Sequence, residues 1–207
     1  MRPRILLALF AIVAAMAMLW ALDAQEDVRV LVRDNGLDPA IIFPQDIVTP
    51  TFIAEDRNFY AYPAIASRIT TDLARRITPR DPDDEAWMAA RERTVDALAE
   101  AFTHDEILSL FIQSTDYGGN CIGIIAALDG RLHKTLATAT VADMVTLSTI
   151  IRAPYALDAP EQRAALIERY NYFAQMGEDD GYWDNAGELI AAGPSNITAG
   201  PGCLTSE

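Results

Sequence analysis

The feature that most constrains this chain is an uninterrupted apolar run, Ile5 to Leu22, preceded by Arg2 and Arg4 and ended by Asp23. As a helix rising about 1.5 Å per residue, the run spans about 27 Å, close to the hydrocarbon thickness of a bilayer. Positive charge before it predicts a cytoplasmic N-terminus and an exported remainder. The rival reading is a cleavable signal peptide. Cleavage after Ala24 would leave Leu22 and Asp23 before the cut, a poor small-x-small site. Residues 1–23 are therefore expected to be an uncleaved membrane anchor.

The chain has 207 residues, a formal net charge of −14 and 51% hydrophobic residues. That length suits one domain, and the apolar content argues against disorder. An acidic chain is repelled by phosphate backbones, so no nucleic-acid partner is expected. Lys134 is the only lysine, and the other basic side chains are arginines. Cys121 and Cys203 lie on the exported side, where a disulfide can form. Sequence leaves open whether they pair or stand as two unrelated thiols. Asn196-Ile-Thr reads as a glycosylation sequon, a pattern common by chance.

Residues 24–47 mix short apolar runs with Asn35-Gly36 and two prolines, which predicts an irregular lead-in with a short strand over Val28 to Val32. Beyond it the chain reads as helices. Asp81, with Pro82 next and Asp84 three residues on, is placed to open one. Thr103 with Glu106 forms a capping box ahead of the apolar run Ile107 to Ile112, and Asp158 with Glu161 forms another. The latter predicts a helix through Met176 that Gly177 stops, with Leu166, Tyr170, Phe173 and Ala174 on its core face. Residues 178–207 hold six acids and no basic residue. They are expected to be a mobile tail unless Cys203 ties them down.

Ile53-Ala-Glu-Asp-Arg-Asn-Phe-Tyr60 resembles the first motif of the family 51 glycosyltransferases, Glu-Asp-x-x-Phe-x-x-His-x-Gly, with Tyr62 for the histidine and Ala64 for the glycine. Ser67-Arg-Ile-Thr-Thr-Asp-Leu-Ala74 resembles the family's Ser-Thr-Ile-Thr-Gln-Gln-Leu-Ala, with Thr71 and Asp72 in place of the glutamines. His104-Asp-Glu-Ile-Leu108 resembles the family's Lys-Asp-Glu-Ile-Leu, and Phe111-Ile-Gln113 stands where Tyr-Leu-Asn is usual. Gly118, Gly123, Ala126 and Ala127, then Lys134, Thr140-Val-Ala-Asp143, Arg152-Ala-Pro154 and the Arg169-to-Met176 segment, follow in the family's order. The likeness spans residues 48–177.

The resemblance implies an all-α, lysozyme-like glycosyltransferase domain behind one transmembrane helix, on the periplasmic side of a bacterial inner membrane. It implies lipid II or a glycan strand as partner and peptidoglycan polymerisation as the reaction. Such a transfer needs a base for the acceptor hydroxyl and positive charge or a metal for the leaving pyrophosphate. Glu55 takes the place of the base, with Phe52, Ile53 and Phe59 as apolar neighbours; the bland reading is that it pairs with Arg57 or caps a helix. The second catalytic carboxylate falls on Glu92 only with a one-residue shift, since ungapped counting lands on Arg91. Asp56, Phe59, Ser67, Thr70, Arg75 and Gln113 stand at matched positions and are the expected substrate-binding residues.

No metal ligands are assigned. No cofactor is assigned from the residues, although the resemblance allows a divalent ion bridging pyrophosphate and carboxylate. Arg68, Arg75 and Arg76 could supply positive charge there or stand as solvated charges on a helix. His104 and His133 lack ligand partners at metal spacing.

The segment that the family places between its first two motifs is missing, because Ile65 runs almost directly into Ser67. The acids from Asp81 to Glu85 fall where the family is basic. Each close acid would repel a pyrophosphate by about 1 kcal/mol even in a water-like dielectric. Three readings follow: a peptidoglycan glycosyltransferase, active or degenerate; a non-catalytic envelope protein that binds glycan, lipid II or a cell-wall synthase; and lysozyme-like cleavage with Glu55 as acid.

Overall fold

A computed structural model describes residues 24–152, 160–197 and 203. The anchor segment, residues 153–159 and Asp158's capping box lie outside the described residues. Among the described residues no helix is long and apolar enough to cross a membrane. They form α-helices joined by short turns and no strand, save one isolated bridge between Asp116 and Ile122.

The first helix, α1, covers residues 24–34, where a short strand over Val28 to Val32 was expected. A short apolar run suggested the strand, but Val28 and Val32 are buried while Val30 is 39% exposed. The core therefore takes positions four apart, the helical spacing. Arg29 fixes α1 by donating to the Ala101 carbonyl at 2.7 Å.

Helix α2, Gln45–Glu55, is the central element. Every residue from Ile47 to Glu55 is buried, as expected of a helix apolar all round. It packs against α5 (His104–Ser114), α7 (Val141–Ile150) and α8 (Arg163–Asp179). Thr51 meets Ser148 at 3.3 Å, and one turn further along α2 Glu55 meets Arg152, two residues past the end of α7. The two contacts set α2 and α7 side by side and parallel.

Capping explains most boundaries. Thr103 and Thr140 each form a full capping box, with Glu106 and Asp143. Ser67 caps α3 (Arg68–Ile77) by accepting from the Ile69 amide. Helix α4 (Asp84–Ala101) is capped by Asp83 rather than Asp81, because the Asp83 carboxylate reaches the amides of Glu85 and Ala86 while Asp81 accepts only from Asp83. Gly123 precedes α6 (Ile124–Leu132) at φ 84°, and a β-carbon there would lie 2.7 Å from the Gln113 carbonyl oxygen.

Gly177 does not stop α8, which runs to Asp179. The Trp183 ring lies where a Gly177 side chain would stand, and its Nε1 donates to the Ala174 carbonyl at 2.8 Å. The chain then forms α9, Ala186–Ala192, packed on α8. Cys203 meets the condition set for the tail by forming a disulfide with Cys121. Ser195 adds a hydrogen bond to Asp143 at 2.7 Å.

Candidate functional site

Glu55 ends α2, so its carboxylate emerges where the core gives way to solvent. Its side chain is only 2% exposed and is paired with Arg152, whose Nε lies 3.1 Å and 3.3 Å from the two carboxylate oxygens. Arg152 also donates to the carbonyls of Ala54 and Glu55. Those carbonyls lack partners within the helix, and a cation beside them favours the helix terminus. The alternative pairing of Glu55 with Arg57 does not form; Arg57 binds Asp180 instead.

Further positive charge surrounds Glu55. Burial and the Arg152 charge hold the Arg169 guanidinium below its ordinary pKa, and Glu55 pulls the other way. Burial likewise lowers Arg76, against the pull of Tyr117, Asp72 and Glu55. Arg76 stacks over Phe111 at 4.4 Å and donates to Thr115 at 2.5 Å. Burial pushes the Tyr117 hydroxyl up.

A cavity of about 310 Å3 opens beside Glu55, lined by Glu55, Asp56, Asn58, Tyr62, Ser67 and Arg68 among others. Asp56 holds its wall together. One carboxylate oxygen accepts from the Ser67 hydroxyl and the Arg68 amide, both at 2.9 Å, and the other from the Asn58 amide at 3.3 Å. The first two motif-like segments are thereby joined at one carboxylate. A larger cavity, about 480 Å3, lies between α1 and α4, and none of the expected site residues lines it.

The expected residues thus divide. Glu55, Asp56 and Ser67 come together at the cavity. Phe59 is a core side chain, 1% exposed, packed edge-on to Tyr60 and His104. Thr70 is fully buried, its hydroxyl without a hydrogen-bond partner. Arg75 is exposed and pairs with Asp72 at 3.3 Å, and Asp72 also pairs with Arg68. Gln113 clamps the lead-in through both amide atoms, accepting from the Asp38 amide and donating to its carbonyl. Glu92 is exposed on α4 and does not line the cavity, and Arg91 lies over the Trp87 ring.

The residues do not fit a divalent ion. Both cavity carboxylates are occupied, Glu55 by Arg152 and Asp56 by its three donors. Among the described residues no cluster of three or more His, Cys, Asp or Glu could hold a metal. Arg152 was missed as a site residue because it lies 97 positions from Glu55 and no local spacing connects them. Tyr62 was noticed only as a departure from the motif, yet it lines the cavity, and its carbonyl contacts His104 Nε2 at 3.0 Å.

A profile of the transglycosylase family matches residues 15–177. Penicillin-binding protein 1A of Rickettsia felis is 21% identical over 178 residues, covering 74% of this chain and 22% of that protein. Penicillin-binding protein 1A of Rickettsia prowazekii is 22% identical over 166 residues, covering 67% and 21%. That of Rickettsia bellii is 26% identical over 85 residues, covering 41% and 11%. The chain spans about a fifth of the length of the first two. It belongs to the transglycosylase family.

Proposed function

We propose that this transglycosylase-family chain binds lipid II or a peptidoglycan glycan strand at the Glu55 cavity and polymerises it slowly or not at all. The observation that carries this reading is the partner of Glu55. A base must release one oxygen to the acceptor hydroxyl, and both oxygens face Arg152. Among the described residues the only other carboxylate lining the cavity is Asp56, whose oxygens are taken by Ser67, Arg68 and Asn58. Glu92 is exposed on α4, and Asp72 is paired with Arg68 and Arg75. Arg68, Arg152 and Arg169 supply the positive charge that a pyrophosphate-linked glycan needs for binding. The helical layout is read as the lysozyme-like arrangement that the resemblance implies. The chain is placed on the periplasmic face of the inner membrane, tethered by residues 1–23, where it could also meet a cell-wall synthase.

A second reading, an active peptidoglycan glycosyltransferase with Glu55 as base, is favoured by the burial of Glu55 at the cavity wall. Movement of Arg152 would free the carboxylate, and water would be partly excluded. Incubating the detergent-solubilised full chain with lipid II, beside Glu55→Gln, separates the two. The account predicts little or no glycan from either protein. Long chains from the wild type and none from Glu55→Gln would establish the second reading.

A further inference from the structure

Tyr60 and Tyr182 come from different parts of the chain and both stand on Phe52. Their ring centroids lie 5.2 Å and 5.1 Å from that of Phe52, with interplanar angles of 88° and 82°. Phe52 is 1% exposed, while Tyr60 and Tyr182 are 42% and 47% exposed. The two tyrosines therefore roof the core with nearly half of their own surface open. Large exposed aromatics gathered in one patch call for an explanation that scattered ones do not.

Both rings are fixed in place. The Tyr60 hydroxyl donates to Asp105 at 2.7 Å, and the ring packs against Phe59 and His104. Tyr182 follows the turn that ends α8, donating its amide to the Gly177 carbonyl at 2.9 Å, beside the Arg57–Asp180 pair. An aromatic surface ordered before binding loses little conformational entropy when a ligand arrives.

The patch also continues into the cavity. Phe52 lies one turn before Glu55 on α2, a rise of about 4.5 Å. His104 packs against Tyr60 and contacts the carbonyl of Tyr62, and Tyr62 lines the cavity. A pyranose ring presents an apolar face of C–H groups and a rim of hydroxyls. Aromatic faces bordered by Asp105, Arg57 and Asp180 match that division.

We infer that Tyr60 and Tyr182 form a stacking shelf for a sugar ring of the glycan, extending the binding face beyond the Glu55 cavity along α2. The inference rests on the glycan-binding reading above and names a subsite within it. Binding of uncrosslinked peptidoglycan strands and of the β-1,4-linked N-acetylglucosamine tetramer to the full chain tests it by calorimetric titration. Tyr182→Leu keeps Phe52 covered but removes the ring, and Tyr182→Phe restores it; circular dichroism checks that both are folded.

The wild type is expected to bind both glycans. Tyr182→Leu should weaken binding about tenfold, and Tyr182→Phe should stay within about twofold of wild type. Should Tyr182→Leu not be folded, Tyr60→Leu takes its place with the same expectation. Wild-type affinity in a folded leucine variant overturns the shelf and leaves the cavity reading standing. A wild type that binds neither glycan overturns the shelf, and lipid II binding then decides the cavity reading.

Discussion

Glu55 carries a charge into a nearly closed place, and Arg152 is what makes that tolerable. Removing one partner of a buried pair leaves the other uncompensated, at a cost of about 3–5 kcal/mol when both are buried. Arg152 is 37% exposed, so its loss is more screened. Arg152→Ala is expected to destabilise the fold by about 2 kcal/mol, and adding Glu55→Gln should recover part of that. Chemical denaturation of the two variants measures both steps; equal stability of Arg152→Ala and wild type would show that the pair does not matter to folding. At this scale the sequence was half legible. Glu55, Asp56 and Ser67 were found because a local motif holds them, and the cavity is built on them. Phe59 and Thr70 carry equally good matches and Gln113 stands where the family has asparagine, but burial and the Asp38 clamp occupy them with packing. Arg152 was legible only as part of the Arg152-Ala-Pro154 segment, and its contact with Glu55 stayed hidden because it depends on how the end of α7 lies beside α2.

Among the elements, α7 gives the clearest pH dependence. Burial alone would raise the Asp143 carboxyl, but hydrogen bonds from Lys134, Ser195 and Thr140 outweigh it and hold it below the usual range. A carboxyl depressed in the fold adds stability above its unfolded pKa of about 3.9, and that contribution fades as pH falls through the folded value. The stability gap between wild type and Asp143→Asn is expected to be full near neutral pH and to close in acid. Thermal melts of the two proteins between about pH 2 and 6 test this, and a constant gap would contradict it. Helix α8 supplies a second test. Gly177→Ala would place a β-carbon 1.9 Å from the Trp183 ring, forcing that ring off α8. A loss of about 1–3 kcal/mol is expected, with a change in tryptophan fluorescence. The capping box at Thr103 was legible because its partner Glu106 lies three residues away, whereas Thr140 and Asp143 were read only as a segment in the family's order and prove to form a box as well. The stop at Gly177 was misread because the ring that requires glycine approaches from beyond the helix.

For the molecule as a whole, the order of motif-like segments revealed the family although no single segment did, and the all-helical class followed from it. What stayed hidden is the arrangement across the chain. Cys203 lies 82 positions from Cys121, and two cysteines alone could not show that they pair. Ungapped counting put the second carboxylate's position on Arg91 and a one-residue shift on Glu92, and the fold sets Glu92 on an exposed face of α4. The cavity beside Glu55 is proposed to take an anionic, lipid-linked glycan. Titration of lipid II in nanodiscs against the full chain and Arg68→Glu tests it most directly, because Arg68 is exposed at the cavity wall. Saturable binding by the wild type, weakened about tenfold in Arg68→Glu, is the predicted result. No binding by the wild type, or equal binding by both proteins, would contradict it.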